Sequence, residues 1–154
     1  MKEKKLLDGW SGTLCIEFNQ KAARKKMSAN LYNEMVDPKA TIKSVSLDLQ
    51  IYERENDEEP FREATQEEWD AIVFEQPYLR IIGLVEEAIE HRATNGKNFS
   101  AKELIQAIEA TEKQTRSKSE WFGSIDAHHI FFEGLSFEEV DEAGVETWRV
   151  FWGS

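Results

Sequence analysis

The chain has 154 residues, 40% of them hydrophobic and 11% aromatic. That is enough apolar material for one domain to bury about two-thirds of its unfolded surface, and it excludes a wholly disordered chain. The formal net charge of −11 is unevenly spread: residues 1–43 hold nine Lys/Arg against five Asp/Glu, a balance of +4, and residues 44–154 hold ten against twenty-five, a balance of −15. An acidic body repels phosphate backbones and favours basic partners, so nucleic acid is not an expected partner.

Cys15 is the single cysteine; it cannot close an internal disulfide, which fits a reducing compartment. The opening MKEKKLLDGW offers only Leu6 and Leu7, where a secretory leader needs an apolar run of at least about 7 residues. No apolar stretch approaches the ~20 residues that span a bilayer. A cytoplasmic protein without membrane association is expected.

GTLCIEF, residues 12–18, alternates Leu14, Ile16 and Phe18 with Thr13, Cys15 and Glu17, the period of a half-buried strand. Residues 21–35 have helix composition, with Lys21, Arg24 and Lys25 on one face and Met27, Leu31 and Met35 repeating every four residues. Pro38 ends that helix, because the residue before a proline avoids helical geometry. Residues 41–53 form the cleanest strand: Val45, Leu47, Leu49 and Ile51 alternate with Ser44, Ser46, Asp48 and Gln50. The charged run ERENDEEP, residues 53–60, reads as an exposed loop.

Three helices are predicted next. Thr65 and Glu68 make a capping box that opens a short helix carrying Trp69, Ile72 and Val73. Pro77 suits the first turn of a second helix, PYLRIIGLVEEAIEHR, whose apolar stripe is Ile81, Leu84, Val85 and Ala88. Gly96 stands where a left-handed cap would close it. Ser100 and Glu103 open a third helix with Leu104, Ile105 and Ile108 on one side. Strand composition returns at 127–135 and 145–152, joined through acidic residues and Gly144. The order implies a single α+β domain, 1–154, with a mostly antiparallel sheet of about four strands (12–18, 41–53, 127–135, 145–152) and helices on one face.

Asp126, His128 and His129 are the residues to weigh for chemistry, and ring stacking and hydrogen bonding in a sheet partly buried on both sides is the favoured reading of them. On a regular strand neighbouring side chains point to opposite faces. His128 then shares a face with Asp126, and His129 shares the other with Phe131, Glu133 and Leu135. The two imidazoles cannot converge on one metal ion, and no metal or other cofactor is expected. Asp126 and His128 are about 6.6 Å apart along a strand rising about 3.3 Å per residue, so a carboxylate could orient an imidazole for general-base work. His91 reads as a dipole-compensating residue near a helix C-terminus. Cys15 reads as an inert strand cysteine, because nothing local lowers its pKa.

Trp148, Val150 and Trp152 line one face of the last strand and Phe151 the other. Tryptophan anchors interfaces out of proportion to its abundance. The leading expectation is an acidic protein-binding module, of inhibitory or toxin-neutralising (immunity-like) type, that recognises a basic protein partner. Its contact residues are Asp57, Glu58 and Glu59 in the loop, Glu138, Glu139, Asp141 and Glu142 near the last turn, and Trp148 and Trp152. Pairing of second sheet faces would instead make a homodimer. The alternatives are a small-molecule hydrolase or isomerase using Asp126 and His128 in an aromatic-lined pocket, and a non-catalytic binder of an apolar ligand.

Overall fold

A computed structural model describes residues 5–19, 24–25, 35–36, 41–53, 58–119 and 129–153. Alternation along the chain sets its frame. In strand β5 (Ile42–Tyr52, following β1 Lys5–Leu6, β2 Trp10–Phe18, β3 Arg24–Lys25 and β4 Met35–Val36) Leu47 and Leu49 are buried while Ser46, Asp48 and Gln50 are exposed. After β5 come β6 (Phe61–Arg62), helix α1 (Gln66–Asp70), β7 (Ile72–Phe74), β8 (Tyr78–Ile82), β9 (Ala88–Arg92) and β10 (Phe99–Ser100). Helix α2 (Ala101–Thr115) runs on into a 3-10 turn (Arg116–Lys118), and β11 (Phe131–Val140) and β12 (Glu146–Gly153) complete the order.

The principal sheet has eight strands, ordered β6-β5-β2-β11-β12-β8-β9, with β1 also on β11. All pairs are antiparallel except β12 with β8. The molecule is therefore mostly β, and the expectation of a four-stranded α+β sheet under several helices is overturned. One long helix covers one face of the sheet.

That sheet curls around α2. Glu109 Oε2 accepts from the Leu47 amide of β5 at 2.8 Å, while Thr111 Oγ1 meets His91 Nε2 of β9 at 2.6 Å. The two helix residues are about 200° apart around the axis, yet their partners stand near opposite ends of the strand order. Only a sheet bent round the helix satisfies both. The bend has local causes: β11 and β12 slip register between Phe132 and Leu135 and again between Phe137 and Glu139, and Gly134 takes φ +98 at the first slip. Bulges of this kind raise the twist and bend the strand. Glu109 thereby occupies an amide of β5 beyond the Ile51–Tyr52 stretch that β6 pairs.

The core lies between the curled sheet and α2, with Leu79, Ile81, Leu104, Ile108, Phe132 and Leu135 at or below 1% exposure. Within it sits a carboxylate. Glu112, fully buried, accepts from the Leu84 amide (3.0 Å) and the Trp152 indole (2.7 Å) through Oε1, and from Arg116 Nε (2.8 Å) through Oε2. The Arg116 guanidinium lies 5.1 Å from the Trp152 ring centroid. Gly83 permits the approach, since a Cβ there would stand 2.2 Å from Glu112 Oε1.

Several predicted elements change type. Residues 77–92 form the β8–β9 hairpin in place of a helix: Leu79 and Ile81 are buried between the more exposed Tyr78, Arg80 and Ile82, and β12 supplies a parallel partner. The β-branched pair Ile81–Ile82 favours that extended state. Ile72 and Val73 leave the short helix for β7, although the Thr65–Glu68 capping box is complete. Ser100 caps α2 by accepting from the Glu103 amide, but the Glu103 carboxylate turns to Thr94. Gly96 is left-handed (φ +70) in the turn after β9, not at a helix end. Where the 21–35 helix was expected, Arg24–Lys25 and Met35–Val36 pair as antiparallel strands.

Truncating the buried carboxylate tests this account. Glu112→Ala should destabilise the protein by about 3–5 kcal/mol, read as a lower urea midpoint at constant slope; an unchanged midpoint would show that Glu112 is not a structural joint.

Candidate functional site

Register fixes which side chains share the outer, convex face, away from α2. Ser11 pairs with Gln50 and Thr13 with Asp48 across β2–β5; Thr13 also pairs with Phe131, and Phe131 with Gly153. By alternation Tyr52, Glu133 and Phe151 join them, and Tyr52 pairs with Phe61 of β6. The result is a row of half-exposed rings across the convex face: Tyr52 (45%), Phe61 (47%), Phe131 (46%) and Phe151 (45%). Tyr52 and Phe61 touch, their centroids 5.3 Å apart. A groove of about 310 Å³ crosses the face, lined by Ser11, Gly12, Thr13, Gln50, Phe61, Phe131, Phe132 and Glu133.

Three arginines of the sheet are each occupied by two carboxylates. Arg62 is held between Glu53 and Glu68, Arg80 between Asp141 and Glu90, and Arg149 between Glu86 and Glu138. The hydrogen bond from Arg62, with a second from the Thr65 amide, brings the Glu68 pKa down to about 2. Arg149 likewise lowers Glu86, and Arg80 lowers Asp141. β5 and β11 both run antiparallel to β2, so the β5–β6 loop and the β11–β12 turn leave the sheet at the same end.

The structure redistributes the expected contact residues. Glu58, Glu59, Glu139 and Glu142 are exposed. Glu138 and Asp141 are bound to Arg149 and Arg80 at 2.6 Å each, and Asp141 also accepts from the Val145 amide. Trp148 is 3% exposed and packs on Phe74 and Phe137, so it is a core ring and not an anchor for a partner. Trp152 is half-buried against Phe132, with its N–H on Glu112. Asp57, Asp126 and His128 lie outside the described residues.

The even alternation expected over 127–135 is also corrected. His129 and Ile130 precede the strand, and the irregularity at Gly134 moves Leu135 onto the core face with Phe132. Cys15 is exposed on the convex face. Among the described residues no three His, Cys, Asp or Glu side chains gather to hold a metal ion, and no helix is long and apolar enough to cross a membrane.

The exposed rings were missed as anchors, although alternation already set Phe131 opposite Phe132 and Phe151 opposite Trp152. The missing fact was which face α2 covers. Comparison with protein-family models, curated proteins and solved structures finds no match to the chain.

His91 belongs to the core face of β9, not to a helix end. The Thr111 hydroxyl donates to the Ala107 carbonyl (2.9 Å), so the imidazole Nε2–H donates to Thr111 Oγ1. Burial lowers its pKa from 6.5 to about 4. Between those values the unfolded chain binds the extra proton and the folded chain does not, so stability falls as pH drops through this window. Urea titrations from pH 6.5 to pH 4 should show that fall, and His91→Gln, which keeps an N–H donor, should flatten it. Equal pH slopes in the two proteins would refute this.

Proposed function

We propose that this chain is a cytoplasmic protein-binding module whose convex sheet face takes a basic protein partner. The observation that carries the reading is the row Tyr52, Phe61, Phe131 and Phe151, four half-exposed rings on the face that no described element covers. Exposed aromatic surface marks interaction sites, and rings supply binding energy at low entropic cost. Charge names the class of partner: Arg62, Arg80 and Arg149 are neutralised within the fold, and Glu58, Glu59, Glu139 and Glu142 are exposed at one end of the sheet. Such a field speeds encounter with a cationic surface, and salt weakens it. An inhibitory or neutralising role suits a module of this kind, which would block the surface it covers.

Two variants test the reading. Phe131→Ala/Phe151→Ala removes rings that are about half exposed, and Glu58→Gln/Glu59→Gln/Glu139→Gln/Glu142→Gln removes charge. With partners captured from the native cell and identified, the native chain should retain basic proteins at low salt and release them at high salt. The ring variant should lose them through faster dissociation, the charge variant through slower association. Retention of the same proteins by both variants would reject the proposal. So would sedimentation showing that the native chain dimerises through these rings, with the ring variant monomeric.

A further inference from the structure

The groove on the convex face is built for a particular group, and we propose that it takes an arginine side chain of the basic partner. This rests on the reading above and names the contact at its centre. Phe61 and Phe131 present exposed rings as walls. Ser11, Thr13, Gln50 and Glu133 supply hydroxyl, amide and carboxylate oxygens between them, and no lysine or arginine lines the groove. Among the described residues none of these four side chains hydrogen-bonds to another group, so the acceptors are free for a ligand. Their positions follow from register: Ser11 faces Gln50, and Thr13 faces Phe131.

A guanidinium matches this set on three counts. It is planar and stacks on aromatic faces; it offers five N–H donors and no acceptor; and it is weakly hydrated, so it enters a partly apolar groove at less cost than an ammonium. At about 310 Å³ the groove is at the lower limit of small-molecule pockets, roughly 300–1,000 Å³, a size suited to one extended side chain. The carboxylate is positioned by a neighbour without a side chain: a Cβ on Gly153 would stand 2.6 Å from Glu133 Oε1. Glu133 therefore lies across Gly153, and any larger residue there would displace it. That makes Gly153→Ala a variant that keeps the charge and moves it.

The test is an NMR titration of the whole chain with N-acetyl-arginine methylamide, following the amides of Ser11, Thr13, Phe131 and Glu133. The citrulline and lysine analogues and maltose serve as comparison arms. Saturable shifts at those amides are expected with arginine, and binding weaker by about tenfold or more with citrulline, which keeps the shape without the charge. Glu133→Gln, Phe131→Ala and Gly153→Ala should each weaken arginine binding by a similar factor; if Gly153→Ala does not fold, the other two decide. Equal binding of citrulline or maltose would overturn the assignment in favour of a neutral polar ligand. Equal binding of lysine would also overturn it, because the groove would then read charge and not the guanidinium. No arginine shifts, while ring-dependent partner capture persists, would remove this inference and leave the binding-module reading intact. Arginine binding without any basic partner would reject the binding-module reading and, with it, the claim that the arginine belongs to a partner protein.

Discussion

Glu112 is the joint on which the architecture depends. Its two oxygens tie the end of α2 to two places that the sequence keeps far away, the loop after β8 at Leu84 and the last strand at Trp152, and also hold Arg116 one turn further on. A buried carboxylate persists only when its oxygens are satisfied, and the desolvation it suffers rivals the attraction it gains. The contribution of such a group is therefore geometric as much as energetic. It sets how far α2 slides along the trough of the sheet, and Gly83 is the space that lets it in. Glu109 and Thr111 then fix the rotation of the same helix, one toward β5 and the other toward β9.

This arrangement separates two kinds of aromatic residue. Rings facing the helix interlock: Phe74 meets Phe99 and Trp148, Trp148 meets Phe137, and Phe132 meets Trp152. Rings facing away meet no second layer among the described residues, and four of them are nearly half exposed. The polar partners of the two faces differ as well. On the core side, carboxylates are enclosed and bonded to backbone; on the outer side, they bracket arginines in exposed pairs that contribute little to stability. What those pairs do is neutralise Arg62, Arg80 and Arg149, and the excess of carboxylates over cations in the chain sets the sign of the field.

Much of the local structure was legible in residue order. Alternation along β2, β5 and β12 located three strands to within two residues, and Ser100 with Glu103 located the start of the long helix. Thr65 with Glu68 located another helix but not its length, since Ile72 and Val73 left it to pair in β7. The segment 77–92 misled for a physical reason. Ile81, Leu84, Val85 and Ala88 make a helical stripe, yet Leu79, Ile81, Ile89 and His91 equally make the inner face of a hairpin. Short apolar runs satisfy both periods, and the arbiter was an available strand edge on β12. Gly134 is a related case, because nothing in its neighbours announces the slip that returns Leu135 to the core.

By itself the sequence determined periodicity, caps, charge and the sorting of rings onto opposite sides of each strand, since all of these depend on neighbours within a few residues. It could not decide which side would become the core. That required α2 to settle on one face, and the contacts that hold it there join residues tens of positions apart: Leu47 with Glu109, His91 with Thr111, Trp152 with Glu112. The tertiary structure thus made Trp148 a core residue and Phe131 a surface one. Alternation had told the two faces of the sheet apart, and only packing decided which of them would meet water.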